Sequence, residues 1–152
     1  MVYSSHILSC GSYLPQRILT NHELAVQVDT SDEWIRARTG IHQRHIATEG
    51  ELTSDLGTKA AQVALQSAGL NAEEIDCIVV ATTTPDHTFP ASAVRIQANL
   101  GATKAMAFDV QAVCSGFLYA LALADNFIQL GQAKKALVIG AETMTRLLDW
   151  QD

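Results

Sequence analysis

An alternation in the second half of the chain narrows the fold most. Apolar stretches at Cys77–Ala81 (C-I-V-V-A), 105–110 (A-M-A-F-D-V) and 136–139 (A-L-V-I) are separated by helical patterns over 91–100 and from Ser115 to a stop at Gly131. The first stretch is a continuous, β-branched-rich run, the mark of a strand covered on both faces. Strand, helix, strand, helix, strand with short connections builds a parallel sheet through right-handed crossovers. The chain therefore reads as α/β, a central mostly parallel sheet with helices on both faces. Ligands in such sheets bind beyond the carboxyl ends of the strands, which is where the 82–90 loop and the turn after residue 110 fall.

That turn holds the strongest chemical signal. Residues 111–113 deliver the chain to Cys114. From Ser115, Phe117, Ala120, Leu121, Ala124, Phe127 and Ile128 recur at three- and four-residue spacings, as on one helix face. Cys114 thus stands where a strand becomes a helix, beside backbone N–H groups and the positive end of the dipole. Such a setting favours the thiolate, the nucleophilic form of a cysteine. Ser115-Gly116 leaves little bulk over the sulfur, so an acyl group can approach the backbone closely. A small core cysteine would suit the same pattern, and from these residues alone both readings stand.

Composition sets the outer bounds. With 152 residues, 48% hydrophobic and 17% charged, the chain is read as one globular domain, 1–152, with a real core. A net charge of −6 argues against nonspecific binding to nucleic acid or an anionic membrane. No apolar run reaches the roughly 18 residues of a membrane span, and the first ten residues lack the basic start and cleavage site of a signal peptide. Cys10, Cys77 and Cys114 are widely spaced and odd in number, without C-x-x-C, which argues against a disulfide framework or zinc site and for a reducing cytoplasm. Cys10 and Cys77 border apolar runs and read as core filler. Neither G-x-G-x-x-G nor a P-loop motif is present.

Elsewhere, residues 2–9 read as a strand and 11–17 as a loop. Thr20 with Glu23 marks a capping box for a helix over 21–28, and Thr30 with Glu33 marks another from 31 to about 38, closed by Gly40. Trp34, Ile35 and Arg38 lie close to one face of the latter. Residues 41–46 read as a half-buried strand. Ser54 is read as the cap of a long helix ending at Ala68, with Leu56, Ala60, Val63, Ala64 and Ala68 as a packing face. Residues 71–75 form a helical turn, and 142–148 read as helical.

Four stretches then coincide with a known family: 11–15 (G-S-Y-L-P), 30–41 (T-S-D-E-W-I-R-A-R-T-G-I), 107–117 (A-F-D-V-Q-A-V-C-S-G-F) and 136–142 (A-L-V-I-G-A-E). In this order they resemble the amino-terminal half of the β-ketoacyl-acyl carrier protein synthase III family, condensing enzymes of the thiolase fold. The similarity runs over essentially the whole chain, and the 30–41 match is its most specific part. The cysteine turn alone would also suit thiolases, chalcone synthases and hydroxymethylglutaryl-CoA synthases.

The resemblance implies a thiolase-like half-domain with the second half absent. It makes Cys114 the nucleophile that takes an acyl group from acyl-CoA, its own N–H helping to form an oxyanion hole. Malonyl-acyl carrier protein is then decarboxylated and condensed with the thioester, which starts fatty acid synthesis in the cytoplasm. Trp34 and Arg38 match residues that contact the CoA nucleotide. Phe89 matches a loop residue that closes the acyl pocket of the other subunit of a homodimer. His42 stands where many members carry arginine. No cofactor is implied, acyl-CoA being a substrate. The family's catalytic His and Asn belong to the second half, so this chain by itself is not expected to complete condensation and is expected to expose apolar surface. Two other readings are a stand-alone half-domain with a binding or assembly role, and a Cys–His hydrolase using His87. The second lacks the C-G-[SA]-C-[WY] signature.

Overall fold

The computed structural model describes residues 4–150. In chain order its elements are β1 (Arg17–Thr20), α1 (Asn21–Leu24), α2 (Asp32–Thr39), β2 (Gln43–Ile46), α3 (Thr53–Ala68), β3 (Cys77–Ala81), α4 (Ser92–Leu100), β4 (Met106–Val110), α5 (Gly116–Gln129) and β5 (Ala136–Gly140). Short 3-10 turns lie at Ala72–Glu74, Val113–Ser115 and Met144–Arg146. The chain divides into two compact units. One takes the described residues up to Tyr13 together with Leu52–Glu142; the other takes Leu14–Glu51 and the residues from Thr143 onward.

The first unit is built on a three-stranded parallel sheet in the order β4-β3-β5. Cys77 lies opposite Met106 on one side and Ala136 on the other. All five residues of β3 are buried, as a continuous apolar run requires when both faces are covered. Strand alternation divides them. Ile78 and Val80 face α3 and α4 through Ala61, Leu65, Ala93 and Ile96, while Cys77, Val79 and Ala81 face α5 through Ala120 and Phe127. Helices therefore cover both faces, as the alternation predicts.

Several boundaries and faces differ from the sequence reading. The apolar 105–110 run reads as a buried strand, but β4 lies at the edge of this sheet and is half-buried, its first residue Met106 exposed. Residues 4–9 form no strand, Val2 and Tyr3 lie outside the described residues, and Cys10 is exposed rather than core filler. Ser54 does not cap α3. The N-cap is Leu52, whose N–H donates to Asp55 Oδ2 at 2.8 Å, and Ser54 is buried inside the first turn. The buried face of α3 runs through Leu56, Gly57, Ala61 and Leu65, whereas Val63 is exposed.

The small-residue face of α3 does have a partner. A Cβ on Gly11 would stand 2.4 Å from Ala64 N and 2.5 Å from Ala60 O, and the Ser9 hydroxyl donates to Ala64 O at 2.7 Å. On α5, Gly116, Ala120 and Ala124 are buried, but Phe117, Leu118, Tyr119 and Leu121 are exposed. Of the residues at three- and four-residue spacing, Ala120 and Ala124 are buried and Phe127 and Ile128 pack against the sheet, whereas Phe117 and Leu121 are exposed. Residues 142–148 form a single 3-10 turn rather than a helix.

In the second unit β1 and β2 pair antiparallel, Arg17 opposite Ile46 and Thr20 opposite Gln43. The sequence reading missed β1, since four residues carry too little alternation to stand out. The Thr20–Glu23 capping box is present, Glu23 N donating to Thr20 Oγ1 at 3.2 Å and Thr20 N donating to Glu23 Oε2 at 2.8 Å. The helix it opens is only four residues long and continues as turns. The cap of α2 is Ser31, not Thr30, because the Ser31 hydroxyl accepts the Trp34 N–H at 3.1 Å. Asn21 is fully buried beside it. Its Nδ2 donates to Asp32 Oδ1 at 2.8 Å and to Ile41 O at 2.7 Å, and its Oδ1 accepts Arg44 Nη1 at 2.5 Å.

Candidate active site

The carboxyl ends of the three parallel strands are tied together by backbone. Thr82 N donates to Val110 O at 3.1 Å, and Ala141 N donates to Ala81 O at 3.2 Å. Beyond this row lie the two segments that the sequence singled out, the Cys114 turn after β4 and the Thr82–Pro90 loop after β3.

Cys114 sits in the 3-10 turn Val113–Ser115, one step ahead of α5, and is exposed. Ser115 N donates to Ala112 O at 3.1 Å and Gly116 N to Val113 O, so the amides just after the cysteine are held within the turn. Val113 has φ of +47°, the single non-glycine residue with positive φ among those described. A β-branched side chain disfavours that region, and a conformation of this kind persists only where its surroundings impose it. Strain of this sort clusters at functional turns, and here it immediately precedes the thiol.

Gly116 also has a packing role. A Cβ there would lie 3.3 Å from Ala81 Cβ and 3.9 Å from Val110 O. Its small size thus lets α5 seat against the ends of β3 and β4, which fixes the helix that carries the cysteine turn.

Three acids that the sequence reading passed over organise these segments. Asp109, on β4, accepts Ser92 N and Ala93 N, each at 2.8 Å, and so caps α4. Asp86 accepts Ser54 N at 3.0 Å, its N–H donates to Ser92 Oγ at 3.1 Å, and Arg95 Nε lies 3.3 Å from its Oδ2. Glu142 accepts Thr83 N at 2.8 Å, Thr84 N at 3.0 Å and Thr82 Oγ1 at 3.3 Å, and also takes the Thr84 hydroxyl. Asp109 and Glu142 each stand near the carboxyl end of an apolar run, and that position is the signal that could have flagged them.

The remaining candidates are placed as follows. Phe89 is 82% exposed on the loop after β3. His87, on the same loop, accepts from Arg95 Nη1 at 3.3 Å through Nε2, and no contact with Cys114 supports a Cys–His pair. Trp34 and Arg38 are brought together on α2, with the Arg38 guanidinium carbon 4.6 Å from the Trp34 ring centroid. They belong to the second unit, Cys114 and Phe89 to the first. Among the described residues no group of three or more His, Cys, Asp and Glu side chains is placed to hold a metal, and no helix is long and apolar enough to cross a membrane.

Comparison with known proteins gives this geometry a context. The family model described as 3-oxoacyl-[acyl-carrier-protein] synthase III matches residues 108–152, a span that includes the cysteine turn. A β-ketoacyl-[acyl-carrier-protein] synthase III of Paramagnetospirillum magneticum is 62% identical over 152 residues, covering 100% of this chain and 47% of that protein. One of Rhodospirillum centenum is 64% identical over the same span, again with 47% of that protein covered. The crystal structure of 3-oxoacyl-[acyl-carrier-protein] synthase III from Aquifex aeolicus superposes with a TM-score of 0.92 at 51% identity, over 96% of this chain and 47% of that one. The chain spans about half the length of the curated relatives it matches. In sequence and in its thiolase-like fold, the chain is similar to the amino-terminal half of the β-ketoacyl-acyl carrier protein synthases III that it matches.

Proposed function

We propose that this chain supplies the acylation half of a β-ketoacyl-acyl carrier protein synthase III, with Cys114 as its nucleophile. The observation that carries the reading is the Cys114 turn itself: an exposed thiol ahead of α5, after a residue held at positive φ, inside the segment that the family model matches. In the first step Cys114 Sγ attacks the carbonyl of acyl-CoA. A carbon–sulfur bond forms to the cysteine, the bond to CoA breaks, and the CoA thiolate leaves and takes up a proton. In the second, malonyl-acyl carrier protein loses CO2 and its carbanion attacks the Cys114 thioester. The products are β-ketoacyl-acyl carrier protein and the free thiol.

The groups that stabilise the carbanion belong, on this reading, to the other half of the enzyme. Trp34 and Arg38 bind the CoA nucleotide by stacking and phosphate pairing. The complete enzyme works in the cytoplasm as a homodimer. The exposure of Phe89 at its loop supports its reaching the acyl pocket of a second copy.

The test is intact mass after incubation with acetyl-CoA, beside a Cys114→Ala control. A single acetyl adduct that vanishes in the control is expected. An adduct that persists without Cys114 overturns the assignment of the nucleophile.

A further inference from the structure

We propose that Glu142 is the positioning residue that fixes the Cys114 turn, acting through Thr82. The inference rests on reading Cys114 as the nucleophile and adds the residue that sets its geometry.

One carboxylate gathers four donors from three consecutive residues: the amides of Thr83 and Thr84 and the hydroxyls of Thr82 and Thr84. A carboxylate is an acceptor only, so it satisfies all four at once. Thr82 is buried, and its N–H donates to Val110 O, the last carbonyl of the strand that leads into the cysteine turn. Ala141, next to Glu142, donates its N–H to Ala81 O. The ends of β3, β4 and β5 are thereby locked in one network, and Gly116 seats the start of α5 against two members of it, Ala81 and Val110. Through these links Glu142 controls both the loop that carries Phe89 and the turn that carries Cys114.

The substitution Glu142→Gln keeps the size and replaces one acceptor with an NH2 that faces donors. Amide hydrogen exchange on the whole chain reads the consequence. A hydrogen bond to a charged group is worth roughly ten-fold or more in an opening equilibrium. Exchange should therefore rise about ten-fold in residues 82–84 and also in 110–116. Residues 75–77 and 134–136, at the opposite end of the sheet, should keep their protection. If Glu142→Gln does not fold, Thr82→Val removes the Thr82 hydroxyl alone and should give the same pattern more weakly. Faster exchange confined to 82–84, or a uniform rise through the sheet, overturns the proposal.

A second readout is the rate of Cys114 acetylation by acetyl-CoA against its alkylation by iodoacetamide. Acetylation should fall about ten-fold in Glu142→Gln while alkylation of the exposed thiol changes little; equal losses in both point to general disruption and overturn the proposal. If the unsubstituted chain takes no acetyl group, the nucleophile reading fails, and the exchange pattern still decides the role of Glu142.

Discussion

The Arg38 guanidinium carbon lies 4.6 Å from the centre of the Trp34 ring, and the two residues stand one turn apart on α2. The spacing i, i+4 puts both side chains on one face of the helix. A cation–π contact at an exposed site contributes about 0.5–1 kcal/mol. Its chief effect here is to hold the indole in one orientation with one ring face covered, while Trp34 stays about half exposed. If this pair takes the CoA nucleotide, Trp34→Ala should weaken CoA binding about ten-fold, as loss of a stacking platform does. Arg38→Ala should cost less, and the double substitution less than the sum of the two. Calorimetric titration of CoA into the four proteins checks this, and strictly additive losses would show that the pair does not act as a unit.

Gly11 and Gly57 make a controlled contrast. A Cβ on Gly11 meets backbone atoms of α3 at 2.4 Å and 2.5 Å, which cannot move without shifting the helix. A Cβ on Gly57 meets Ile96 Cδ1 at 2.6 Å, the far end of a flexible side chain. Gly11→Ala should destabilise by about 2–3 kcal/mol, as overpacking against a rigid neighbour does. Gly57→Ala should lie within about 1 kcal/mol of the parent, since alanine's better helix propensity offsets part of the strain. Urea unfolding followed by circular dichroism measures both.

The three cysteines should divide by burial. Cys77 is fully buried, and burial pushes its thiol above the ordinary cysteine value, with the neighbouring Asp76 charge adding to the effect. Cys10 and Cys114 are exposed. Iodoacetamide at about pH 8, close to the free thiol value, should therefore add two groups to the native protein, with the third appearing only on denaturation. Peptide mapping that finds Cys77 among the modified residues of the native protein would contradict this core assignment.

Acid should loosen the second unit through Asp32. The Asn21 side-chain bond, together with Arg36 and His22, holds the Asp32 carboxyl below the usual aspartate range. A carboxyl depressed in the folded state adds stability above its unfolded value, and this is lost as pH falls through the folded one. Asn21→Leu should cost about 3 kcal/mol near neutral pH, since it orphans groups around a fully buried amide. The gap between parent and variant should narrow below about pH 4, the ordinary aspartate range. Urea midpoints measured from pH 7 down to 3 check the trend; a gap that widens in acid would remove Asp32 from the account.

Local order was legible in the sequence wherever the signal lies within a few residues. The five apolar residues of β3 read as a doubly covered strand because a sheet strand needs no more than its own run to show it. The Thr20–Glu23 box and the glycine stops at Gly40, Gly69 and Gly101 are likewise local, and all three glycines adopt the left-handed cap conformation. The alternation of elements, with Cys114 at a strand-to-helix junction, followed from the same short-range patterns.

What the tertiary structure decided is what stands opposite what. Periodicity gives a helix an apolar stripe without saying how far its packed part extends, so Val63 on the α3 stripe and Phe117 and Leu121 on the α5 stripe are exposed. Thr83 and Glu142 are 59 residues apart, and Ser54 and Asp86 are 32 apart. No window of sequence connects a carboxylate to amides at such distances; only the parallel sheet, by aligning the ends of β3, β4 and β5, sets them within a hydrogen bond of one another. The sequence by itself determined β3, the Thr20–Glu23 box, the glycine stops and the place of Cys114 just ahead of α5. The network that joins Glu142, Thr82–Thr84 and Val110 exists only because the crossovers bring the strand ends side by side.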